Sequence, residues 1–420
     1  MNRLLDDALA LWAACPDTLP DFGPSFQPVE QSAAEAQLDR FLGCLQAELE
    51  ALPRSAAARR ASHTRISAAF DEFGRGALHL DEDQMQLLLS DGFAGIGARM
   101  ARRAREFDAA VPLADVQQAS RNAWTACGLQ LLFGRKIALT PSIFAYSMLY
   151  PYTDNYLDDP AASPQDKLGF SHRFGSRLAG RPVPAANSRE ETIWRLAGLI
   201  EGEYARTTHP RIFESLLDIH AAQHDSLRLR RNSEASYDEV LGTSFHKGGA
   251  SVLADAWLAA SDLSPEQARF AFLWGVLLQL GDDLQDLTED LDAGVLTLFT
   301  QAAARIPLDR LTCRTLHFAG AVMALMPQSP TPTSPALRGL IHKSSFSLII
   351  RAAGAAGGRY SPAYLAGLER HSPFRFAALA GRKRSLGRRS ARLSGLFEAF
   401  LEGSEDEPVF PWLPSSLMPR

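Results

Sequence analysis

Apolar residues recur at positions i, i+3, i+4 and i+7 along most of the chain, and the alternation typical of strands is almost absent. This spacing predicts an all-α protein. The predicted helices cover residues 32–52, 56–73, 82–107, 113–135, 141–152, 189–206, 210–230, 236–260, 265–290, 307–326, 335–356, 362–368 and 391–401. Proline and glycine predict loops at 16–28, 161–188 and 327–335.

A shift in composition near residue 112, towards large apolar and aromatic side chains, predicts a domain boundary. We expect an N-terminal helical extension at 1–110, a main domain at 111–400 and a C-terminal tail at 401–420. The tail is acidic and then contains prolines, and we expect it to be poorly ordered or docked by Phe410 and Trp412.

The predicted helix 265–290 has two different faces. Its start follows the capping pattern Ser264-Pro-Glu-Gln267, with a serine N-cap and proline at the first helical position. A core-facing stripe contains Phe270, Leu273, Trp274, Leu277, Leu280 and Leu284. At about 100° per residue, Asp282, Asp286 and Asp290 follow another edge, which Gln279 extends towards the N-terminus.

Two acidic clusters, about 125 residues apart, follow apolar helices. The first contains Asp154, Asp158 and Asp159, and the second contains Asp282, Asp283, Asp286 and Asp290. Carboxylates this close repel each other and raise each other's pKa unless a divalent cation neutralises them. Because all the ligands are oxygens, the clusters predict Mg²⁺, with Mn²⁺ as the other candidate.

Net charge, cysteine content and the apolar content of the N-terminus narrow the class of protein. A net charge of −5 gives no reason to expect nucleic acid as a partner. Four cysteines without paired spacing favour a reduced, cytoplasmic protein over a disulfide framework. The first residues include acids where a signal peptide would be apolar, and no stretch is long and apolar enough to predict an integral membrane segment.

Several motifs between residues 130 and 300 occur in an order found in one enzyme superfamily. Besides the first acidic cluster, they are Ala222-Gln223-His-Asp225, Lys247-Gly248, Leu278-Gln279-Leu-Gly-Asp282-Asp283-Leu-Gln-Asp286 and Gly294-Val-Leu-Thr-Leu. Their order and spacing resemble those of the class I isoprenoid synthases, above all the trans-prenyl diphosphate synthases. Those enzymes have GQxxD, KT and FQxxDDxxD at the corresponding places.

This resemblance implies an isoprenoid synthase helical bundle around a deep apolar cavity, with a prenyl diphosphate as substrate. It implies that Mg²⁺ is held between the two clusters. Asp154, Asp282 and Lys247 would act on the diphosphate, the lysine by neutralising charge as the C–O bond breaks. Gln223 and Gln279 would contact the same group. A homodimer is compatible with the resemblance.

The departures from the synthase pattern favour a terpene synthase. The arginine-rich motifs that bind isopentenyl diphosphate are absent near the first cluster, where Asn155 also replaces an aspartate. Arg359-Tyr360 resembles the Arg-Tyr pair of terpene cyclases. We therefore expect ionisation of a linear prenyl diphosphate, followed by cyclisation or rearrangement. The alternative is a prenyl diphosphate synthase or a head-to-head prenyltransferase of the squalene and phytoene type.

Three other readings fit the sequence less well. A di-iron bundle requires Glu-x-x-His pairs, and no histidine in the chain has a glutamate three residues before it. His220 and His224 supply two ligands for zinc, but no third is in register. A non-enzymatic scaffold would be expected to have lost the carboxylates, and both clusters are intact.

Overall fold

The computed structural model describes the chain except residues 1, 24, 160, 230–234, 388–389, 402 and 404–420, and except the side chains of 158, 228, 383–387 and 390–394. Helix accounts for 77% of the structure, and the described residues form no strand. The prediction of an all-α protein is confirmed. Most of the predicted tail, 401–420, lies outside the described residues.

Twenty α-helices are present in the described part of the chain. In chain order they are α1 Asn2–Ala14, α2 Pro28–Ala51, α3 Ala56–Ala77, α4 Glu82–Leu89, α5 Asp91–Ala94, α6 Ile96–Phe107, α7 Leu113–Leu132, α8 Pro141–Asp158, α9 Pro164–Leu178, α10 Ser188–Glu203, α11 Pro210–Leu229, α12 Tyr237–Ala260, α13 Pro265–Gln285, α14 Leu287–Ala293, α15 Leu298–Ala303, α16 Asp309–Ala324, α17 Ser334–Ala355, α18 Pro362–Glu369, α19 Phe376–Gly387 and α20 Ser390–Leu401.

The chain divides into two compact units. The first contains Met1–Pro20, Thr125–Ser334 and Ile341–Ser361, and the second contains Asp21–Trp124, Pro335–Leu340 and Pro362–Arg420. This division differs from the expected one, because residues from both ends of the chain belong to the second unit. Both acidic clusters lie in the first unit, which is therefore the unit that positions the candidate site.

The first unit includes a helix that we did not predict, α1. Trp12 anchors α1 through edge-on ring contacts with Phe245 of α12 and Phe318 of α16, at centroid distances of 5.6 and 5.8 Å. An ion pair between Asp7 and Arg269 joins it to α13. Aromatic rings this large bury much apolar surface, so α1 is part of the core that supports α12 and α13.

The second unit has a separate core built around phenylalanines. Phe41 stacks on Phe73 at a centroid distance of 5.3 Å, and Phe374 stacks on the other side of Phe73. The buried Glu35 accepts hydrogen bonds from Arg375, which hold its pKa below its usual range although burial opposes this. This ion pair fixes the start of α19 on α2.

One predicted loop contains a helix. Residues 161–188 were expected to be mainly loop, but 164–178 form α9. The helix begins with a capping box in which the Ser163 hydroxyl accepts a hydrogen bond from the Asp166 amide at 3.1 Å, followed by proline at the first position. Phe170, Phe174 and Leu178 are buried at i, i+4 and i+8. The prediction missed this short amphipathic stripe because glycines interrupt it.

Two predicted helices are divided in the structure. The expected helix 82–107 forms three shorter helices, α4, α5 and α6. The expected helix 265–290 ends at Gln285, and α14 begins at Leu287. Backbone hydrogen bonds from the amide of Asp286 to Asp282 and from Asp290 to Asp286 continue across the junction. The acidic edge therefore keeps its i, i+4 spacing although the helix is not continuous.

Among the helices that the structure describes, none combines the length and apolar character needed to cross a membrane.

Candidate functional site

The first acidic cluster lies at the C-terminal end of α8. The start of this helix has clear capping signals in the sequence. The Thr140 hydroxyl caps the helix by accepting a hydrogen bond from the Ile143 amide at 3.3 Å, and Pro141 occupies the first position. Thirteen mainly buried residues of α8 then lead to Asp154, which is half-buried. Oδ1 of Asp154 accepts a hydrogen bond from Nε2 of Gln223 on α11 at 3.0 Å. Two of the predicted site residues are thus in direct contact.

The other acids of the first cluster differ from Asp154. Asp159 accepts hydrogen bonds from the Ala161 amide and from the Arg189 guanidinium, and these lower its pKa. The carboxylate of Asp159 is therefore already engaged in a local turn and an ion pair. The side chain of Asp158 lies outside the described residues.

Neighbouring acids of the second cluster have opposite surroundings. Asp282 is exposed, Asp286 and Asp290 are half-buried, and Asp283 is only 6% exposed. Both oxygens of Asp283 accept hydrogen bonds, from Nε2 of Gln279 at 2.7 Å and from Oγ of Ser244 at 3.0 Å. Gln279, which was predicted to continue the edge of Asp282, Asp286 and Asp290, thus contacts the buried Asp283.

Burial raises the pKa of Asp283 to about 7. The hydrogen bond from Gln279 opposes this rise, the negative charge of Asp282 adds to it, and the positive charge of Lys247 opposes it again. A carboxyl group whose pKa lies near neutrality is readily influenced by an added cation. The electrostatic effect also places the half-buried Lys247 near the second cluster.

Glycines allow the helices that carry Lys247 and Asp282 to cross closely. A Cβ added to Gly248 on α12 would lie 2.6 Å from the carbonyl oxygen of Gly275 on α13. One added to Gly275 would lie 2.2 Å from the carbonyl oxygen of Gly248. No side chain fits at this crossing, which accounts for the glycines at both positions.

Tyr150 on α8 connects the two clusters electrostatically. Its hydroxyl donates a hydrogen bond to Oγ of Ser251 on α12 at 2.9 Å. Burial raises the pKa of Tyr150 well above its usual value, the bond to Ser251 lowers it, and the charges of Asp154, Asp255 and Asp282 raise it further. One carboxylate from each cluster therefore acts on the same phenol. The C-terminal parts of α8 and α13, which carry these carboxylates, therefore both lie near Tyr150.

A pocket opens beside Asp154 between α8, α9 and α11. The cavity itself has a volume of about 70 Å³, and the empty space around it, which includes solvent at the open mouth, is about 580 Å³. Its wall is mainly apolar, and polar groups are supplied by a few residues. The lining residues are Tyr146, Leu149, Tyr150, Thr153, Asp154, Leu157, Phe170, Ser171, Phe174, Leu178, Leu216, Ile219, His220 and Gln223. Such a pocket suits an apolar chain with a polar group at one end.

Sequence reasoning missed the wall that α9 contributes. The signal was present in Ser163-Pro-Gln-Asp166, which has the same form as the start of α13. His220 was considered only as a zinc ligand together with His224. Its position in the pocket wall depends on the packing of α11 against α9, which no local pattern contains.

The predicted pair Arg359 and Tyr360 does not line this pocket. Arg359 is exposed, and its carbonyl oxygen accepts a hydrogen bond from the Leu308 amide. Tyr360 is buried, and its hydroxyl is 2.8 Å from the hydroxyl of Thr312 on α16. The buried tyrosine fixes the end of α17 within the first unit. The structure does not bring either residue together with Asp154.

The residues that could hold a metal ion are the accessible carboxylates, Asp154 at the pocket and Asp282 at the surface. Among the described side chains, no three histidine, cysteine, aspartate or glutamate residues form a ready-made metal site. Asp154 and Asp282 nevertheless act on one phenol, and the pKa of Asp283 is raised by burial and by a neighbouring negative charge. Oxygen donors in a region of excess negative charge suit a hard divalent cation that shares its coordination with water and phosphate.

No protein-family model matches the chain, and no curated protein matches it.

Proposed function

We propose that this protein is a class I terpene synthase, which ionises a linear prenyl diphosphate with the help of Mg²⁺ and then cyclises or rearranges the resulting cation. The observation that carries the proposal is Tyr150, whose pKa is raised by Asp154 and by Asp282. Asp154 lines an apolar pocket, and the charge of Asp282, which is far away in sequence, acts on the same phenol. This arrangement fits a substrate with a charged head and a long hydrocarbon tail.

Each part of the site has a task in this reaction. Asp154 and Asp282 hold Mg²⁺, which when bound supplies positive charge for the departing diphosphate. Lys247 adds a fixed positive charge near the same group and favours the developing negative charge. Gln223 orients Asp154 through its hydrogen bond. The walls from α8, α9 and α11 hold the tail and exclude water that would quench the cation.

Prenyl chain elongation is the second candidate activity. It would need a second basic site for isopentenyl diphosphate beside the first cluster. At the first cluster, Arg189 forms an exposed ion pair with Asp159. This pair offers one arginine where the elongating enzymes have an arginine-rich motif, so we rank elongation below cyclisation.

One experiment tests the proposal and separates the two activities. Purified protein is supplied with geranyl, farnesyl or geranylgeranyl diphosphate and Mg²⁺, with and without isopentenyl diphosphate. Released pyrophosphate and organic-soluble products are then measured. We expect hydrocarbon or alcohol products without isopentenyl diphosphate. Longer prenyl diphosphates formed only when isopentenyl diphosphate is present would support elongation instead, and no pyrophosphate from any substrate would contradict both.

A further inference from the structure

His220 lies in the wall of the pocket, one helical turn before Gln223 on α11. Its Nε2 is 2.9 Å from the backbone carbonyl oxygen of Ser171 on α9. A Cβ added to Gly175 would lie 3.1 Å from Nε2 and 3.2 Å from Cδ2. The imidazole therefore turns its Nε2–Cδ2 edge towards α9.

The contact with Ser171 determines which nitrogen carries the proton. A carbonyl oxygen only accepts hydrogen bonds, so Nε2 of His220 must be the donor. In the neutral ring, Nδ1 then carries the lone pair. Within the described structure, neither hydrogen bond of His220 uses Nδ1. Phe174 meets the ring edge-on at a centroid distance of 5.2 Å and keeps it in this orientation.

The surroundings favour the neutral form of this histidine. Burial lowers the pKa of His220, the hydrogen bond to the Ser171 carbonyl opposes that effect, and the charges of His224 and His172 lower the pKa further. The net shift is below the usual value. A neutral imidazole with its lone pair on a pocket wall is a proton acceptor.

The proposed reaction requires such a group. A carbocation held in an apolar pocket becomes an olefin only when a carbon next to the charge loses a proton. In the wall of the pocket that also contains Asp154, His220 lies beside Ile219 on α11 and meets Phe174 of α9 edge-on. It is therefore suited to meet the hydrocarbon part of the substrate.

We infer that His220 is the base that ends the carbocation reaction, an inference that rests on the proposed terpene synthase activity. Nδ1 takes a proton from a carbon adjacent to the cationic centre. The C–H electron pair becomes the second bond of a C=C double bond, which neutralises the cation. The imidazolium that forms keeps its Nε2–H bond to Ser171 and returns the Nδ1 proton to water when the product leaves.

The test compares His220→Gln with the wild type and with His342→Gln, an exposed histidine on α17. The amide of glutamine still donates a hydrogen bond to the Ser171 carbonyl but is a poor base, so α9 and α11 stay joined. We expect the effect of His220→Gln to appear in the products formed per pyrophosphate released. Its ratio of olefin to water-quenched alcohol or to alternative olefins should fall by roughly tenfold or more. The control should keep the wild-type ratio.

Nitrogen NMR of protein labelled with ¹⁵N-histidine provides a measurement that does not depend on how a variant folds. At pH 7, His220 should show a neutral imidazole protonated at Nε2. An imidazolium, or the Nδ1–H tautomer, would overturn the inference.

The possible outcomes separate this inference from the proposed function. A wild type that releases no pyrophosphate contradicts both. A wild type that is active, with unchanged products in a folded His220→Gln variant, contradicts only the role of His220. A folded variant that loses pyrophosphate release also contradicts this role, because His220 would then act in ionisation rather than in termination.

Discussion

The two acidic clusters have the same kinds of residue, yet their carboxylates lie in different surroundings. In the first cluster, Asp154 faces a pocket while Asp159 is held by Arg189 in an ion pair. In the second, Asp282 is exposed while Asp283 is buried and accepts two hydrogen bonds. Asp154 and Asp282 are therefore the open acids, in the sense that a ligand can reach them from the pocket or from the surface, whereas Asp159 and Asp283 are held by a turn and an ion pair or by burial.

This contrast shows that acidic residues that are close together in the sequence do not all have carboxylates available to bind a ligand. Asp282 and Asp283 are adjacent, but at about 100° per residue they point to different sides of α13. Asp283 shares its side with the buried Leu280 and Leu287. We therefore expect the open acids to affect chemistry and the engaged acids to affect stability.

The largest effect should come from the open acids. Asp154→Ala and Asp282→Ala should each lower pyrophosphate release by a factor on the order of 10² to 10³, because each removes charge from the same cation site. Circular dichroism should show an unchanged helical content. Asp262→Ala, which removes an exposed acid after α12, serves as the control and should keep wild-type turnover. Wild-type rates in either cluster variant would contradict the shared site.

Lys247 should have the next largest effect. Lys247→Gln removes a positive charge near the second cluster and should lower kcat on the order of a hundredfold, with little change in folding. Lys247→Arg should recover part of the loss, since the charge is kept but its geometry changes. Lys136→Gln, at an exposed lysine, is the matched control. If Lys247→Gln turned over substrate at the wild-type rate, Lys247 would have no role at the diphosphate.

Asp283 should affect stability in a pH-dependent way. Burial raises its pKa from 3.8 to about 7, so the folded protein binds this proton more tightly than the unfolded chain does. Its contribution to stability is therefore complete below about pH 4 and is lost as the pH rises through about 7. Asp283→Asn, which stays neutral, should raise the free energy of unfolding at pH 8 by roughly 2 kcal/mol.

The check is denaturant unfolding of the wild type and Asp283→Asn in EDTA at pH 5 and pH 8. The gain should be smaller at pH 5, where the wild-type acid is still mostly protonated in the folded state. A variant that is less stable than the wild type at pH 8 would show that the charged form of Asp283 supports the fold.

The smallest effect is expected for Asp159. Its carboxylate pairs with Arg189 on the surface, and exposed ion pairs contribute little. Asp159→Ala should change pyrophosphate release by roughly threefold or less. Steady-state assays of Asp159→Ala and Asp154→Ala under the same conditions compare the two acids of the first cluster. If Asp159→Ala lost as much pyrophosphate release as Asp154→Ala does, Asp159 would have to leave its ion pair with Arg189 and bind the cation.

Much of the fold was predictable because helix signals are local. The periodicity and the capping pattern at Ser264 predicted α13, and the identical pattern at Ser163 would have predicted α9 had it been given the same weight. The division between two units was not predictable in this way. It depends on the packing of segments from both ends of the chain, which leaves no pattern within a single helix.

The sequence could suggest which residues belong to the candidate site, but it could not predict their burial or their contacts. The sequence identified Asp154, Gln223, Asp282 and Lys247, and the structure places Gln223 on Asp154 and Lys247 near Asp283. It did not identify Tyr150 as the residue near both clusters, because that position arises from α8 packing on α12. Burial of an acid and the direction of a side chain are tertiary properties.

The central claim is that the two clusters bind one diphosphate through a divalent cation. Calorimetric titration with inorganic pyrophosphate tests it without any need for the natural substrate. The account predicts binding in Mg²⁺ and none in EDTA, with binding lost in both Asp154→Ala and Asp282→Ala and kept in Asp262→Ala. Binding of equal strength in EDTA, or binding that survives the loss of either cluster's open acid, would contradict it.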